Sequence, residues 1–509
     1  MKKKKKTKKS NKALQDRVRI KNLALIPSSI RNYIDTMVKV YPPKLKYKCK
    51  IEFFYYIIIT IIKRQNTFEN KADRNIPVAL YTDILKGIVS DYSGYLNWLV
   101  EMEVVELAVN YSVGHHSNKY CFTDFILMSF EKVPELEKVE MKVLESDKII
   151  VERSIQDSDI YKENQHLLKW FNDKLEIDFD GALNFIDDYI NEKYTYVSGD
   201  YRISIIEPEK VACKRMHWIN HISKLHHKVF TATRNEESDF RLHTVLTNFK
   251  KIFKPFVTYD SKKLVAFDLK NSQPYFLVYL ISNLSSNRSR YVVGLCRKVY
   301  GIRLCTFMLP ILKETLSSKG FAEEFSQFQK WVLEGKLYEN LALILKPEKC
   351  FTGGFTNVVF IKELKSKHPV SFGTERELLK SVFIRALFCK NDSTDEYYLK
   401  LKEKLPNFMA VLEILKSEDN AHLSRLLQNI ESHCIIDYVT KKIAKEHPEM
   451  PLFTIHDSIA TTIDFEAVLG ELMVRYVEEF TGFKPKVAKE SWDFEPCTGE
   501  ETATKRLIK

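Results

Sequence analysis

The stretch FTIHDSIATT, at residues 453–462, constrains the fold strongly because it sets a charged group between two apolar segments. The runs on either side of His456 and Asp457 are short and rich in β-branched residues, which is typical of paired strands. A turn between them would place Asp457 at the tip. The sequence therefore predicts a buried β-hairpin that presents one carboxylate.

A second isolated carboxylate, Asp268, lies in KKLVAFDLKNSQPYFLVYL. Leu264 to Phe267 form a short apolar strand, and an apolar helix follows from Pro274, so Asp268 is expected at a sheet edge where a ligand can bind. Two aspartates brought together repel unless a cation joins them, and hard divalent ions prefer oxygen ligands. The pair predicts a two-metal site for phosphate chemistry. Taken singly, each aspartate is more simply a turn residue or a cap.

Between the two aspartates lies ERELLKSVFIRALFCKND. Arg376, Lys380, Ile384 and Phe388 recur every four residues and form one stripe on a helix. The stripe is cationic at its start and apolar at its end. This suits a nucleoside triphosphate lying along the helix, with the cations on the phosphates and the apolar side chains against sugar and base. The alternative is an ordinary core helix.

In this order, the three segments resemble the superfamily of family A DNA polymerases and single-subunit phage-type RNA polymerases. Asp268 matches the metal-binding aspartate of motif A, and His456-Asp457 matches the hairpin of motif C. The helical stripe matches the fingers helix in the spacing of its arginine, lysine and aromatic residue. Three further segments, FRLHTVLTNF, RLLQNIESHCIIDYVTKKI and FKPKVAKESWD, add matches at Arg241, Thr244, Asn248, Gln428 and Trp492.

The resemblance covers about residues 239–495 and implies an α+β right-hand polymerase with palm, fingers and thumb-like helices. It implies that Asp268 and Asp457 hold two Mg²⁺ ions and that Lys380 protonates the pyrophosphate. The residues implied to bind the nucleoside triphosphate are Arg376, Lys380, Ile384, Phe388 and Gln273. Those implied to contact a DNA primer-template are Arg241, Thr244, Asn248, Gln428 and His456.

Two sequence positions give opposite predictions about whether the nucleotide substrate carries ribose or deoxyribose. Motif C reads His-Asp-Ser, as in phage-type RNA polymerases, whereas DNA polymerases have His-Asp-Glu. Gln273, however, stands where DNA polymerases of the family place a bulky glutamate that blocks the ribose 2′-hydroxyl, and where RNA polymerases place glycine. We give steric bulk more weight and expect a DNA polymerase, with an RNA polymerase or primase, or a non-catalytic DNA-binding replication protein, as alternatives. Phe388 and Cys389 replace the usual tyrosine and glycine.

The residues before 239 are expected to form separate parts. Residues 1–12 are a Lys-rich, disordered tail with eight lysines, which attracts polyanions or merely aids solubility. Residues 13–150 contain a helix, helix and hairpin pattern typical of a winged-helix-like DNA-binding module; such modules also bind proteins. The two expected strands of the hairpin are EVVELAVNYSV and KYCFTDFIL, which ends at residue 127, and the tip lies at 114–118. Residues 151–238 predict a helical connector or thumb, and residues 239–509 the palm and fingers.

Composition and the absence of certain motifs bear on the cellular location and the biological context that we expect for the protein. The apolar run at 53–62 is far below the roughly 20 residues that cross a bilayer, and the nine cysteines lack metal-ligand spacing, so we expect a cytoplasmic protein without a membrane span. No Asp-x-Glu exonuclease signature precedes the polymerase-like region, so we expect no proofreading. The compact architecture suggests a phage, plasmid or other mobile element, with accessory replication proteins as further partners.

Overall fold

The computed structural model describes residues 19–66, 77–110, 118–128, 136–144, 159–198, 201–204, 208–235, 239–247, 249–286, 290–348, 355–361 and 366–494. The predicted tail and Asn248 lie outside these residues. The chain is mixed α/β, mostly helical with small sheets. It divides into two compact units. Unit 1 is Met1–Thr233, His243–Leu264 and Trp492–Lys509, and unit 2 is Arg234–Leu242 and Val265–Ser491.

Unit 1 begins with a long antiparallel strand pair, Arg19–Pro27 with Leu136–Leu144. Two helices follow the first strand, Ser28–Val40 and Ile51–Asn66. The second helix contains the apolar run at 53–62, and every residue of that run is buried, so it is a core helix. Within the described ranges, no helix combines the length and apolar character needed to span a membrane.

The predicted helix, helix and hairpin pattern is present in unit 1 as local structure. Helices Thr82–Ile88 and Tyr92–Glu101 precede strands Val105–Val109 and Lys119–Phe122, and Val78–Ala79 completes a three-stranded sheet. The expectation of strand through residue 127 was wrong, because Asp124–Met128 is helical. The backbone N–H groups of Ile126 and Leu127 both donate to the carbonyl of Thr123, as in a helical turn. The side chains of these two consecutive residues are both buried, whereas consecutive side chains of a strand point to opposite faces.

Most of the hairpin tip, residues 111–117, lies outside the described residues. Whether that tip contacts phosphates therefore stays a prediction, as does the assignment of a winged helix.

The rest of unit 1 is partly helical, as predicted, but also contains short strands. The acidic stretch DFDGALNFIDDYINE, residues 178–192, lies in helix Phe179–Tyr194 except for its first residue. The other helices are Asp159–Glu163, Gln165–Leu168, Pro208–His226 and the 3₁₀ helix Lys251–Phe256. The strands are Leu175–Ile177, Thr195–Ser198, Tyr201–Ser204, Ala232–Thr233, His243–Thr244 and Val257–Tyr259. Strands this short depend on their partners, so a local sequence pattern does not reveal them.

Unit 2 contains the sheet that carries both predicted aspartates. Residues 265–269 of strand Lys262–Leu269 pair antiparallel with Val487–Ser491, and Asp268 faces Ala488. The neighbour of Lys262–Leu269 on its other edge is Ser458–Thr462, which pairs in turn with Phe453–Ile455.

Helices make up most of the remainder of unit 2. They are Ser272–Ser286, Arg290–Leu316, Lys319–Leu333, Leu337–Leu345, Glu375–Phe388, Glu396–Lys404, Pro406–Leu415, Asn420–Ser432, Thr440–Glu446 and Glu466–Thr481. A π-helical turn, His433–Val439, a 3₁₀ turn, Ile463–Phe465, and a strand pair, Phe355–Ile361 with Ser366–Phe372, complete the unit. The helix Arg290–Leu316 bends at Gly301, whose φ is 78°.

Helix Glu466–Thr481 packs closely against the strand that carries Asp268. A methyl group at Gly470 would lie 2.9 Å from Cε1 and 3.0 Å from Cζ of the Phe267 ring. Only glycine fits this approach without displacing the ring. Because Phe267 directly precedes Asp268, this packing restrains the backbone next to Asp268.

Candidate active site

The predicted hairpin is confirmed, and its turn consists of His456 and Asp457 alone. Ile455 pairs directly with Ser458, so two residues connect the strands. His456 has a φ of 56°, in the left-handed region that two-residue hairpin turns use. The flanking strands are buried, whereas Asp457 is half-buried. The fold thus places a partly accessible carboxylate at the end of a rigid hairpin.

Asp268 is the penultimate residue of its strand, which extends one residue further than the sequence predicted. It is half-buried. Asn271, with a φ of 57°, turns the chain into helix Ser272–Ser286. The strand that follows Asp457 is a hydrogen-bonded neighbour of the strand that contains Asp268. Asp268 and the hairpin that carries Asp457 therefore belong to one sheet.

A buried carboxylate, Glu431, connects residues from three of the predicted motifs. Its side chain is 0% exposed. Its Oε1 accepts hydrogen bonds from Nε of Arg241, at 2.8 Å, and from Nη2 of the same residue, at 2.5 Å. Its Oε2 accepts one from Nε2 of Gln273, at 2.5 Å. Both oxygens of the carboxylate are thus engaged.

The electrostatics of Glu431 extend to Asp457. Burial raises the pKa of Glu431 to about 7, the charge of Arg241 opposes this rise, and the negative charge of Asp457 adds to it. Arg241 and Gln273, which the sequence placed in separate motifs, therefore contact one residue that the sequence did not single out.

A sequence signal for Glu431 did exist. It is the one acidic residue in LLQNIESHCII, and Leu427 and Cys434, its neighbours one turn away on the helix, are buried apolar residues. An acidic residue in an apolar helical stripe indicates a buried charge that needs a partner. The partner, Arg241, is far away in sequence, so it could not be identified.

A second ion pair holds the segment Arg234–Leu242 on the same helical region. Nη1 and Nη2 of Arg234 donate to the two carboxylate oxygens of Asp437, at 2.9 and 2.7 Å. Burial alone would raise the pKa of Asp437, but hydrogen bonds from His433 and Arg234 outweigh it and hold that pKa below its usual value. This bidentate pair orients the segment Arg234–Leu242, which contains Arg241.

The predicted nucleotide-binding stripe lies on the less buried side of helix Glu375–Phe388. Arg376 and Lys380 are exposed, and Ile384 and Phe388 are half-buried. The opposite side forms the core contact, with Leu378, Leu379, Val382, Phe383, Ala386 and Leu387 buried. The helix thus packs one side into the core, as the alternative of an ordinary core helix also expects, and nucleotide binding by the stripe stays a prediction.

The stripe already has one internal partner. Arg376 forms an ion pair with Glu339, and its guanidinium lies 5.1 Å from the centroid of the Tyr338 ring. In the part of the chain that the structure describes, no hydrogen bond or ion pair joins the stripe to Glu431, Arg241, Gln273 or Asp457.

Both ends of helix Glu375–Phe388 are fixed. At the start, Thr374 and Glu377 form a reciprocal capping box. At the end, the ammonium group of Lys416, which is 3% exposed, donates to the carbonyls of Ala386, at 2.7 Å, and Cys389, at 3.1 Å. Burial lowers the pKa of Lys416. A helix anchored in this way presents its stripe in a defined orientation.

The predicted primer-template residues are only partly brought together. Gln428 is half-buried on the same helix as Glu431. Thr244 belongs to unit 1, where its buried hydroxyl accepts the N–H of Leu246 within a local turn. Asn248 lies outside the described residues. The proposed contacts of these residues with nucleic acid stay predictions.

The donor set suits a hard cation. Asp268 and Asp457 offer only carboxylate oxygens. Among the described residues, no group of three or more His, Cys, Asp or Glu side chains is arranged to hold a metal ion. Zn²⁺ usually requires three or four protein ligands. Mg²⁺ is commonly bound by one or two carboxylates, with substrate phosphates and water as the other ligands. Carboxylate oxygens are the kind of ligand that Mg²⁺ takes, and binding of Mg²⁺ by Asp268 and Asp457 stays a prediction.

No protein-family profile matches the chain. No curated protein matches it in sequence. Among solved structures, the chain is similar to the POL domain of Pol1 from M. smegmatis in complex with DNA primer-template and dNTP. That similarity has a TM-score of 0.29 and 10% identity, over 65% of this chain and 69% of that one.

Proposed function

We propose that this protein is a template-directed nucleotidyltransferase, and specifically a DNA-directed DNA polymerase that extends a primer. What supports the proposal is the arrangement around Glu431. Arg241 and Gln273, chosen from separate motifs by their sequence alone, both donate hydrogen bonds to one buried carboxylate, and the negative charge of Asp457 contributes to the raised pKa of that group.

In this proposal Asp268 and Asp457 hold the Mg²⁺ ions. When bound, Mg²⁺ would lower the pKa of the primer 3′-hydroxyl and stabilise charge on the phosphate under attack. The carboxylates contribute by being fixed in the sheet, one beside Phe267 and the other in a two-residue turn. His456, adjacent to Asp457, would lie near the primer end.

The helix Glu375–Phe388 would bind the triphosphate. Arg376 exchanges its contact with Glu339 for a phosphate, and the exposed ammonium of Lys380 donates a proton to the leaving pyrophosphate. Ile384 and Phe388, half-buried and on the same side, pack against sugar and base. Neutral contacts there leave recognition of the base to the template.

Selection of the sugar would fall to Gln273. Its Nε2 donates a hydrogen bond to Oε2 of Glu431, at 2.5 Å, so the Gln273 side chain is held in one position. A ribose 2′-hydroxyl that must occupy the same space is excluded by sterics. The alternative of RNA synthesis is favoured by Ser458, because the His-Asp-Ser motif resembles that of phage-type RNA polymerases.

The remaining assignments follow from this function. The helix, helix and hairpin module and the Lys-rich tail would raise affinity for DNA. Arg241, Thr244, Asn248 and Gln428 would contact the primer-template. Accessory replication proteins and a phage or plasmid setting belong to the same proposal.

Primer extension tests the proposal. The full chain is incubated with a labelled primer-template and Mg²⁺, in parallel with the four dNTPs and the four NTPs. Extension with dNTPs is expected. Extension with NTPs alone would make the protein an RNA polymerase. Ser458 would then indicate the sugar of the substrate better than Gln273 does. Absence of extension with either set would overturn the proposal.

A further inference from the structure

Gln273 is oriented by Glu431, a residue to which the sequence assigned no role although it lies in the segment that contains Gln428. A carboxylate accepts hydrogen bonds and donates none, so the amide of Gln273 must turn its NH₂ group toward Oε2 of Glu431. The amide oxygen then has to point away from Glu431. In the described part of the chain this oxygen is buried and has no hydrogen-bond partner. The contact with Glu431 is therefore what selects one of the two amide orientations.

Glu431 is itself held still. Its other oxygen accepts two hydrogen bonds from Arg241, so the carboxylate cannot rotate without breaking them. Its position on helix Asn420–Ser432, against helix Ser272–Ser286, leaves it with no solvent exposure. The charged and titratable groups around it are Arg241, Asp457 and Cys434.

We infer that Glu431 is a positioning residue for sugar selection, holding the Gln273 side chain at the place where a ribose 2′-hydroxyl would have to fit. The inference rests on the proposed function. Glu431 acts through Gln273 and has no exposed surface with which to contact a nucleotide. Loosening Gln273 lets its side chain move aside, so the efficiency of NTP use rises while that of dNTP use changes little.

The measured quantity is the ratio of kcat/KM for a dNTP to kcat/KM for the matching NTP. This ratio does not depend on the fraction of active protein, so a purely structural loss leaves it unchanged. Removing a charge-assisted hydrogen bond to a specificity residue is expected to lower the ratio by about tenfold. This decrease of about tenfold in the dNTP to NTP ratio is the result that we expect for Glu431→Ala.

A double-mutant cycle distinguishes positioning from an independent effect. Gln273→Ala, Glu431→Ala and the double variant are compared with wild type. If Glu431 acts through Gln273, the double variant has the same ratio as Gln273→Ala. Glu431→Gln keeps the shape of the side chain but can serve as acceptor for only one of its two partners. We expect it to show an intermediate ratio, and it remains informative if Glu431→Ala does not fold.

Asn429→Ala is the matched control, because Asn429 is also buried on the same helix and donates to the carbonyl of Arg425, within that helix. Its ratio should equal that of wild type. If wild type discriminates but Glu431→Gln and Glu431→Ala both match Asn429→Ala, the inference is wrong and the proposed function stands. If wild type incorporates neither dNTPs nor NTPs, the proposed function and the inference both fail.

Discussion

Replacing Arg241 with alanine should destabilise the protein in a way that depends on pH. Arg241 supplies two hydrogen bonds and the neutralising charge to Glu431, which is fully buried. Removing one partner of a buried ion pair typically costs about 3–5 kcal/mol, because the remaining charge is left without compensation. This cost applies only while Glu431 is ionised.

The pH dependence follows from the pKa of Glu431. Its value in the folded protein, about 7, is above the ordinary value of 4.5, so the folded state binds a proton that the unfolded chain has released. Stability from this group is greatest below pH 4.5 and falls as pH rises to 7, by about 3 kcal/mol for a shift of this size. Without Arg241 the pKa rises further, so the decline continues to higher pH.

The loss caused by Arg241→Ala should therefore be about 1 kcal/mol at pH 5.5, where Glu431 is mostly protonated, and about 3–5 kcal/mol at pH 8. The assay is urea unfolding followed by circular dichroism in Mg²⁺-free buffer at both values. Arg475→Ala is the control, because its partner Glu446 is at the surface and such pairs contribute about 1 kcal/mol or less. An equal loss for Arg241→Ala at both pH values would refute the reasoning.

Three further changes test the surroundings of the site. Gly470→Ala should lower the free energy of unfolding by about 1–3 kcal/mol and, if the proposed function holds, reduce kcat, because the new methyl group displaces Phe267 beside Asp268. Urea unfolding and primer extension measure these effects. Glu339→Gln should lower KM for the dNTP by up to about fivefold with little change in kcat, because Arg376 no longer has a competing carboxylate; steady-state kinetics measure this. Thr374→Ala should cost about 1 kcal/mol of stability in urea unfolding, because the N-terminal cap of helix Glu375–Phe388 is lost.

Each change has a matched control. Gly294→Ala should be tolerated, because a methyl group there meets no atom within 4 Å; equal losses at Gly294 and Gly470 would contradict the packing argument. Glu396→Gln removes a surface carboxylate that pairs with Lys400 and should leave KM unchanged. An increase in KM for Glu339→Gln would speak against phosphate binding by Arg376. Thr374→Ser should retain the cap, and a loss as large as that of alanine would refute the capping role.

The sequence predicted the elements that depend on local pattern. The hairpin around Asp457, the strand before Asp268 and the amphipathic helix of Arg376 and Phe388 all formed where the periodicity placed them. A four-residue repeat indicates the exposed side of the helix, and short apolar runs indicate the buried strands, so no knowledge of the partner is needed.

Features that depend on distant partners were not predicted. The buried Glu431 is stabilised by Arg241, about 190 residues away, and the pairing cannot be read from either segment alone. The strands of two to four residues in unit 1 form only because other strands align with them. At 124–128, burial of consecutive side chains produced a helix where alternation had suggested a strand.

The central claim is that Asp457 belongs to a Mg²⁺-dependent polymerase site. Incorporation of a single dNTP on a primer-template, with and without Mg²⁺, should be compared for wild type, Asp457→Asn and Asp464→Asn, the last being an exposed aspartate after the same hairpin. We predict Mg²⁺-dependent incorporation by wild type and Asp464→Asn, and a decrease of about a hundredfold or more in Asp457→Asn. Equal incorporation by wild type and Asp457→Asn would contradict the account.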